Sequence, residues 1–165
     1  MDNIILIGMP GSGKSTVGVL LAKLLGYSFI DSDLLIQQRE GKKLFEILRD
    51  DGSDYFAQVE NAVNSSIVTE NSVIATGGSV IYGKDAMAHF KEIGKIVYLQ
   101  VELEELARRL GNFSTRGVLM RKGESLDDLY RERVPLYEKY ADIIVPCPHA
   151  ELITNAERIV RALDM

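Results

Sequence analysis

Hydrophobic residues recur along this chain in two alternating rhythms. Short, dense runs at Asn3 to Ile7, Tyr27 to Ile30, Ser72 to Ala75, Lys95 to Leu99 and Ile143 to Val145 read as strands. Between them the spacing turns helical. Val17, Leu20, Leu21, Leu24 and Leu25 form one apolar stripe, and Phe56, Val59, Val63 and Ile67 form another. Leu103, Leu106, Ala107 and Leu110 make a third, and a closing helix covers Leu152 to Leu163. Gly26 stands where a glycine ends a helix. The NIILI run has no polar alternation, as expected of a strand covered on both faces. Strands alternating with helices predict an α/β fold with a parallel sheet. Such sheets bind ligands beyond the carboxyl ends of their strands. One stretch, 111–123 (GNFSTRGVLMRKG), breaks the rhythm with three glycines and three basic residues. A long irregular segment of this kind is a functional lid or a disordered loop.

Composition narrows the field. The chain has 165 residues, a length that suits one domain. Its apolar fraction of 46% and charged fraction of 26% exclude a disordered, collagen-like or disulfide-scaffold chain. With 19 basic and 24 acidic residues the net charge is −5, which argues against a general nucleic-acid binder. The single cysteine, Cys147, supports neither an intramolecular disulfide nor a structural zinc site, and is expected as a buried small residue. Ile4 to Ile7 is far too short for a membrane span, and no cationic segment precedes it. A cytoplasmic protein without membrane or nucleic-acid partners is the expectation.

The residues that follow the strands carry chemistry. Gly8-Met9-Pro10-Gly11-Ser12-Gly13-Lys14-Ser15 matches G-x-x-x-x-G-K-[ST] in full, after a strand and before an amphipathic helix. Its backbone N–H groups and the helix N-terminus suit phosphate oxygens. Lys14 is expected to reach the β- and γ-phosphates, and Ser15 to place its hydroxyl on Mg²⁺. This motif implies a nucleoside triphosphate and leaves the reaction open. Asp31-Ser32-Asp33 follows the second strand. At spacing i and i+2, one carboxylate could hold the Mg²⁺ hydration shell and the other orient or deprotonate a hydroxyl. Alternatively, Ser32 or Asp33 caps a helix. Thr76-Gly77-Gly78-Ser79 follows the third strand, as an ordinary turn or a place where a ligand meets the backbone. Leu126, Leu129, Tyr130, Arg133 and Tyr137 keep helical spacing, so Arg133 falls on an apolar stripe. A buried guanidinium needs an anion, either a protein carboxylate or a group of the substrate. Arg116, in the irregular stretch, is a lid arginine for the transferring phosphoryl or a solvated charge. Arg108 and Arg109 complement a helix C-terminus, or one of them stacks on adenine.

Together these residues resemble the shikimate kinase family. The likeness runs from Ile4 to about Asp142 and includes GMPGSGKST (8–16), FIDSD (29–33), Gly41…Phe45-Glu46-Ile47…Gly52, Phe56…Glu60, ATGGS (75–79), Arg109…Arg116 and RVPLYEKYAD (133–142). The P-loop is common to many families; D-x-D, T-G-G and R-x-P-L-Y together are far more specific. The resemblance implies a P-loop NTPase three-layer fold, with a five-stranded parallel sheet in the order 2-3-1-4-5. It implies one kinase domain over 1–165, with a substrate-binding helical segment at about 32–60 and a lid at about 111–124. The implied activity is ATP-dependent phosphorylation of the 3-hydroxyl of shikimate, with ATP and Mg²⁺, by a monomer. Gly11, Ser12, Gly13, Lys14, Ser15 and Thr16 would surround the phosphates, and Arg109 would pack on adenine. Asp31 would join Ser15 at the metal. Asp33, Gly77, Gly78 and Arg133 would bind the acceptor, Arg133 through its carboxylate. Lys14, Asp33 and Arg116 would be catalytic.

Three positions depart from the family pattern. The family's G-E-x-x-F-R is Gly52-Ser53-Asp54-Tyr55-Phe56-Ala57 here, so an acceptor-clamping arginine is Ala57. The third glycine of G-G-G is Ser79, and the lid's R-P-L is Arg116-Gly117-Val118. The first two favour a paralogous kinase for another small hydroxy acid or polyol as the alternative. A nucleotide-binding regulator is a third reading, against which the set Asp31, Asp33, Arg116 and Arg133 argues.

Overall fold

The computed structural model describes residues 2–110, 124–148 and 151–164. The central strand β1 (Asn3–Ile7) is buried along its whole length, which explains its unbroken apolar run. It pairs in parallel with β3 (Ser72–Ala75) on one side and β4 (Gly94–Gln100) on the other, so Ile5 faces both Ile74 and Ile96. The strands β2 (Ser28–Asp31) and β5 (Ile143–Pro146) complete a five-stranded parallel sheet in the order β2-β3-β1-β4-β5. This is the order implied by the resemblance.

Helices α1 (Lys14–Leu25) and α8 (Leu152–Ala162) pack on each other, and α4 (Ser53–Ser65) packs on α5 (Lys84–Ile93). A smaller apolar cluster of Ile36, Ile47, Phe56, Val59 and Val63 ties α2 (Ser32–Glu40), α3 (Leu44–Asp51) and α4 together. The remaining helices are α6 (Leu103–Arg109) and α7 (Leu126–Tyr140). Helix α7 runs through Pro135, with Leu129, Arg133 and Tyr137 on its buried face. No helix among the described residues is long and apolar enough to cross a membrane.

The differences from the sequence reading have local causes. Gly26, at φ 70°, and Tyr27 both donate to Ala22 O, closing α1. Tyr27 is therefore spent on the helix end, and strand pairing begins at Ser28 opposite Ser72. Asp31, rather than Ser32 or Asp33, caps α2: its Oδ1 accepts from Asp33 N at 3.0 Å and Leu34 N at 3.4 Å. Asp33 thus stands on the first helical turn and not on the strand. Helix α5 escaped the period count because only Ala86, Met87 and Phe90 of its ten residues are buried. Cys147 is buried as expected, and burial pushes its thiol up to about 11.

Candidate active site

The carboxyl ends of β1, β2 and β3 open onto one cavity of about 410 Å³. Its floor is the loop between β1 and α1. Gly13 caps α1 at φ 93°, a left-handed conformation that turns the chain sharply into the helix. Gly11, Gly13, Lys14, Ser15 and Thr16 line the cavity. Ser12 does not: it is 1% exposed, with its hydroxyl 3.4 Å from Lys14 Nζ and its N–H bonded to Met9 O at 3.1 Å. Lys14 Nζ also donates to Gly8 O at 2.7 Å and Met9 O at 2.9 Å. Burial pulls this ammonium down to about 8, the Asp33 carboxylate opposes that, and the Arg133 charge adds to it.

Ser15 and Asp31 are brought together, with Ser15 Oγ donating to Asp31 Oδ2 at 3.2 Å. Oδ1 of Asp31 serves the α2 cap, which leaves Oδ2 to the Ser15 hydroxyl. Its hydroxyl–carboxylate neighbour pair fits Mg²⁺, which takes oxygen ligands and keeps several waters.

Across the cavity stand Asp33, Glu60, Gly77, Gly78, Ser79 and Arg133, from four different elements. The Thr76–Ser79 turn is fixed by Thr76 Oγ1 donating to Leu6 O at 2.8 Å and by Tyr137 Oη donating to Gly78 O at 2.6 Å. A β-carbon on Gly78 would sit 2.8 Å from Pro10 Cδ and 3.1 Å from Arg133 Nη1. P-loop, glycine turn and α7 arginine therefore meet at one point, which only a bare backbone can occupy. Arg133 is 1% exposed, and its guanidinium lies 5.5 Å from the centre of the Tyr82 ring. Burial, helped by neighbouring Asp31, raises Asp33 to about 6, while Lys14 pulls it back. Oδ1 of Asp33 is buried without a hydrogen-bond partner among the described residues.

Glu60 was missed in the sequence as a site residue. Burial pushes its carboxyl up to about 7, against the lowering effect of a hydrogen bond from Ser79. The signal was present, since Glu60 falls on the same stripe as Phe56, Val59 and Val63. Ala57 is partly exposed and lies outside the cavity lining, between the lining residues Phe56 and Glu60. Arg109 pairs through Nε with Glu105 Oε1 at 2.9 Å and reaches Gly11 O at 3.3 Å through Nη1. Arg108 also pairs with Glu105, at 2.9 Å, and is exposed. Arg116 and almost all of 111–124 lie outside the described residues.

Comparison with known proteins gives the shikimate kinase family. The shikimate kinase family model matches residues 10–164. A shikimate kinase from Clostridium botulinum is 44% identical over 98% of this chain and 96% of its own length. The solved structure of a shikimate kinase from Acinetobacter baumannii in complex with shikimate superposes with a TM-score of 0.90 at 31% identity, covering 99% of this chain and 93% of that one. A shikimate kinase from Aquifex aeolicus gives a TM-score of 0.83 at 33% identity, covering 98% and 96% of the two chains.

Proposed function

The chain belongs to the shikimate kinase family, and from that premise we propose that it transfers the γ-phosphoryl group of ATP to the 3-hydroxyl of shikimate. The observation that carries this is a single cavity lined by Gly11, Gly13, Lys14, Ser15 and Thr16 of the P-loop on one side and by Asp33, Gly77, Gly78 and Arg133 on the other. A donor phosphate and an acceptor hydroxyl held there are neighbours, so the transfer needs positioning and charge stabilisation more than covalent help.

In this reading the loop N–H groups of Gly11, Gly13, Lys14, Ser15 and Thr16 cradle the phosphates, and Lys14 Nζ exchanges its loop carbonyls for β- and γ-phosphate oxygens. Ser15 and Asp31 would hold Mg²⁺, which when bound would supply positive charge beside the phosphates. Arg133 pairs with the acceptor carboxylate. Asp33, raised to about 6, is ionised at neutral pH and still basic enough to take the proton of the attacking hydroxyl. That oxygen forms a bond to the γ-phosphorus as the bond to the β–γ bridging oxygen breaks. ADP leaves with the bridging electrons, and the hydroxyl proton passes to Asp33. Arg109, held beside Gly11, packs on adenine, and Arg116 belongs to a lid at 111–124 that excludes water. The segment 32–60 serves the acceptor, all within a single domain. A cytoplasmic monomer acting on a small molecule, without nucleic acid or membrane, completes the reading.

Ala57 and Ser79 favour a second acceptor, a related hydroxy acid or polyol. Initial rates of ADP release over shikimate, quinate, gluconate, homoserine and nucleoside monophosphates test this. Shikimate is expected to give the highest kcat/KM. A higher value for any other acceptor overturns the assignment of shikimate, and no turnover with any of them returns the chain to a nucleotide-binding role.

A further inference from the structure

Glu60 is an acid in an apolar row. It is 3% exposed, shares the buried face of α4 with Phe56, Val59 and Val63, and yet lines the acceptor side of the cavity. Its two oxygens have different surroundings. Oε1 accepts a 2.6 Å hydrogen bond from the buried Ser79 hydroxyl, whereas Oε2 is buried without a hydrogen-bond partner among the described residues. Asp33 Oδ1 is in the same condition. Both oxygens close on one point, for a β-carbon on Gly77 would lie 2.9 Å from each. Two carboxylate oxygens with spare lone pairs therefore converge over a bare glycine, in a cavity that also holds Lys14 and Arg133.

Ser79 decides where Glu60 points. Position 57 lies three residues before Glu60, hence on the same side of α4, and as alanine it brings no cation there. A glutamate has three side-chain torsions and, without an anchor, several rotamers. The Ser79 hydroxyl supplies that anchor, from the glycine turn itself. We propose that Ser79 is a positioning residue of the acceptor site: it clamps Glu60 Oε1 so that Oε2, together with Asp33 Oδ1, receives two hydroxyl groups of one polyhydroxylated acceptor above Gly77. This rests on the function proposed above. Two O–H donors on neighbouring carbons satisfy both oxygens, each of which otherwise stays desolvated and unpaired. An acceptor with a single hydroxyl leaves one of them unsatisfied and is rejected for that reason.

The clamp leaves a signature in pH. The groups facing Glu60 are Asp33 on α2, which raises it, and Arg133 on α7 and Lys14 on α1, which lower it along with Ser79. Loss of the Ser79 donor raises Glu60 further, so acceptor binding then needs a higher pH.

The test compares Ser79→Ala with wild type in the full chain, across the neutral pH range. KM for shikimate is expected to rise about five- to twenty-fold. KM for ATP should stay within about twofold, and the acid-side fall of kcat/KM for shikimate should move to higher pH. In a Glu60→Ala background the same substitution should change KM for shikimate by less than about twofold, because Ser79 then has no side-chain oxygen to hold. If the wild type phosphorylates shikimate but Ser79→Ala moves neither KM nor the pH profile, the clamp is overturned and the function stands. An equal rise in KM for ATP also overturns it, as a general distortion. A wild type inert toward shikimate overturns the function and the clamp with it.

Discussion

The two walls of the cavity are built on opposite plans. The donor wall is one contiguous stretch, Gly8 to Thr16, whose charged group Lys14 is satisfied by its own loop through Gly8 O and Met9 O. The acceptor wall draws Asp33 from α2, Glu60 from α4, Gly77 to Ser79 from the turn after β3, and Arg133 from α7. Two of its buried carboxylate oxygens, on Asp33 and Glu60, have no hydrogen-bond partner among the described residues. Each such oxygen costs about 1–3 kcal/mol in stability. The donor wall is thus settled by local backbone, whereas the acceptor wall stores an unmet polar demand that a ligand fulfils. On the function proposed above, recognition of phosphate is encoded locally, whereas recognition of the acceptor is dispersed over four elements and rests on unmet hydrogen bonds.

That contrast can be broken most severely at Lys14. Replacing it with alanine removes the point charge of the donor wall, and kcat with shikimate is expected to fall by about a thousandfold or more. Steady-state rates check this, and turnover within about threefold of wild type would remove Lys14 from the transfer step. Next in size is Asp33→Asn, which keeps shape but cannot take the hydroxyl proton. Here kcat should drop about a hundredfold or more while KM for ATP is nearly unchanged, confining the damage to the acceptor wall. In the wild type, kcat/KM for shikimate should decline as pH falls through about 6, where Asp33 becomes protonated. A raised KM for ATP with kcat intact would exchange the roles of Asp31 and Asp33.

Smaller changes sharpen the comparison. Ala57→Arg introduces a cation one helical turn from Glu60, and KM for shikimate should fall about tenfold with KM for ATP unmoved. If it has no effect, the acceptor wall does not need a second arginine. The smallest effect concerns stability. Burial raises Glu60 from 4.5 to about 7, so the stability tied to this group is complete below 4.5 and is lost as pH rises through about 7. Glu60→Gln escapes that loss. Thermal unfolding should show it about 1 kcal/mol more stable than wild type at pH 8, or roughly 2–4 °C in Tm, with no gain at pH 4. Destabilisation at pH 8 would mean that the cations around Glu60 outweigh its burial.

The same contrast governs what could be read from the chain alone. Short-range patterns sufficed to place each strand to within one residue, α1 with its Gly26 end, and the loop between β1 and α1, because a P-loop is complete within nine residues. Arg133 was visible because a charge interrupts an apolar stripe. Glu60 interrupts the stripe of α4 in the same way, yet it went unmarked because Phe56, Val59 and Val63 alone complete a helical period. The Ser79–Glu60 bond spans 19 positions and joins two features that looked unrelated, a departure from G-G-G and a helical glutamate. Spacing along the chain carries no such information; the packing of α4 against the turn that follows β3 brings those atoms together. Asp31 is half legible: a helix cap in the D-x-D segment is expected from its residue types, but which of the three residues caps α2 depends on where β2 ends.

The most direct test of the account is the identity of the product. Wild-type protein is incubated with ATP, Mg²⁺ and shikimate, and the reaction is followed by phosphorus–proton correlation NMR. The expected result is a new phosphate ester whose phosphorus couples to the proton on carbon 3 of shikimate, formed in step with ADP. Inorganic phosphate in place of an ester, or an ester on another hydroxyl, would contradict it.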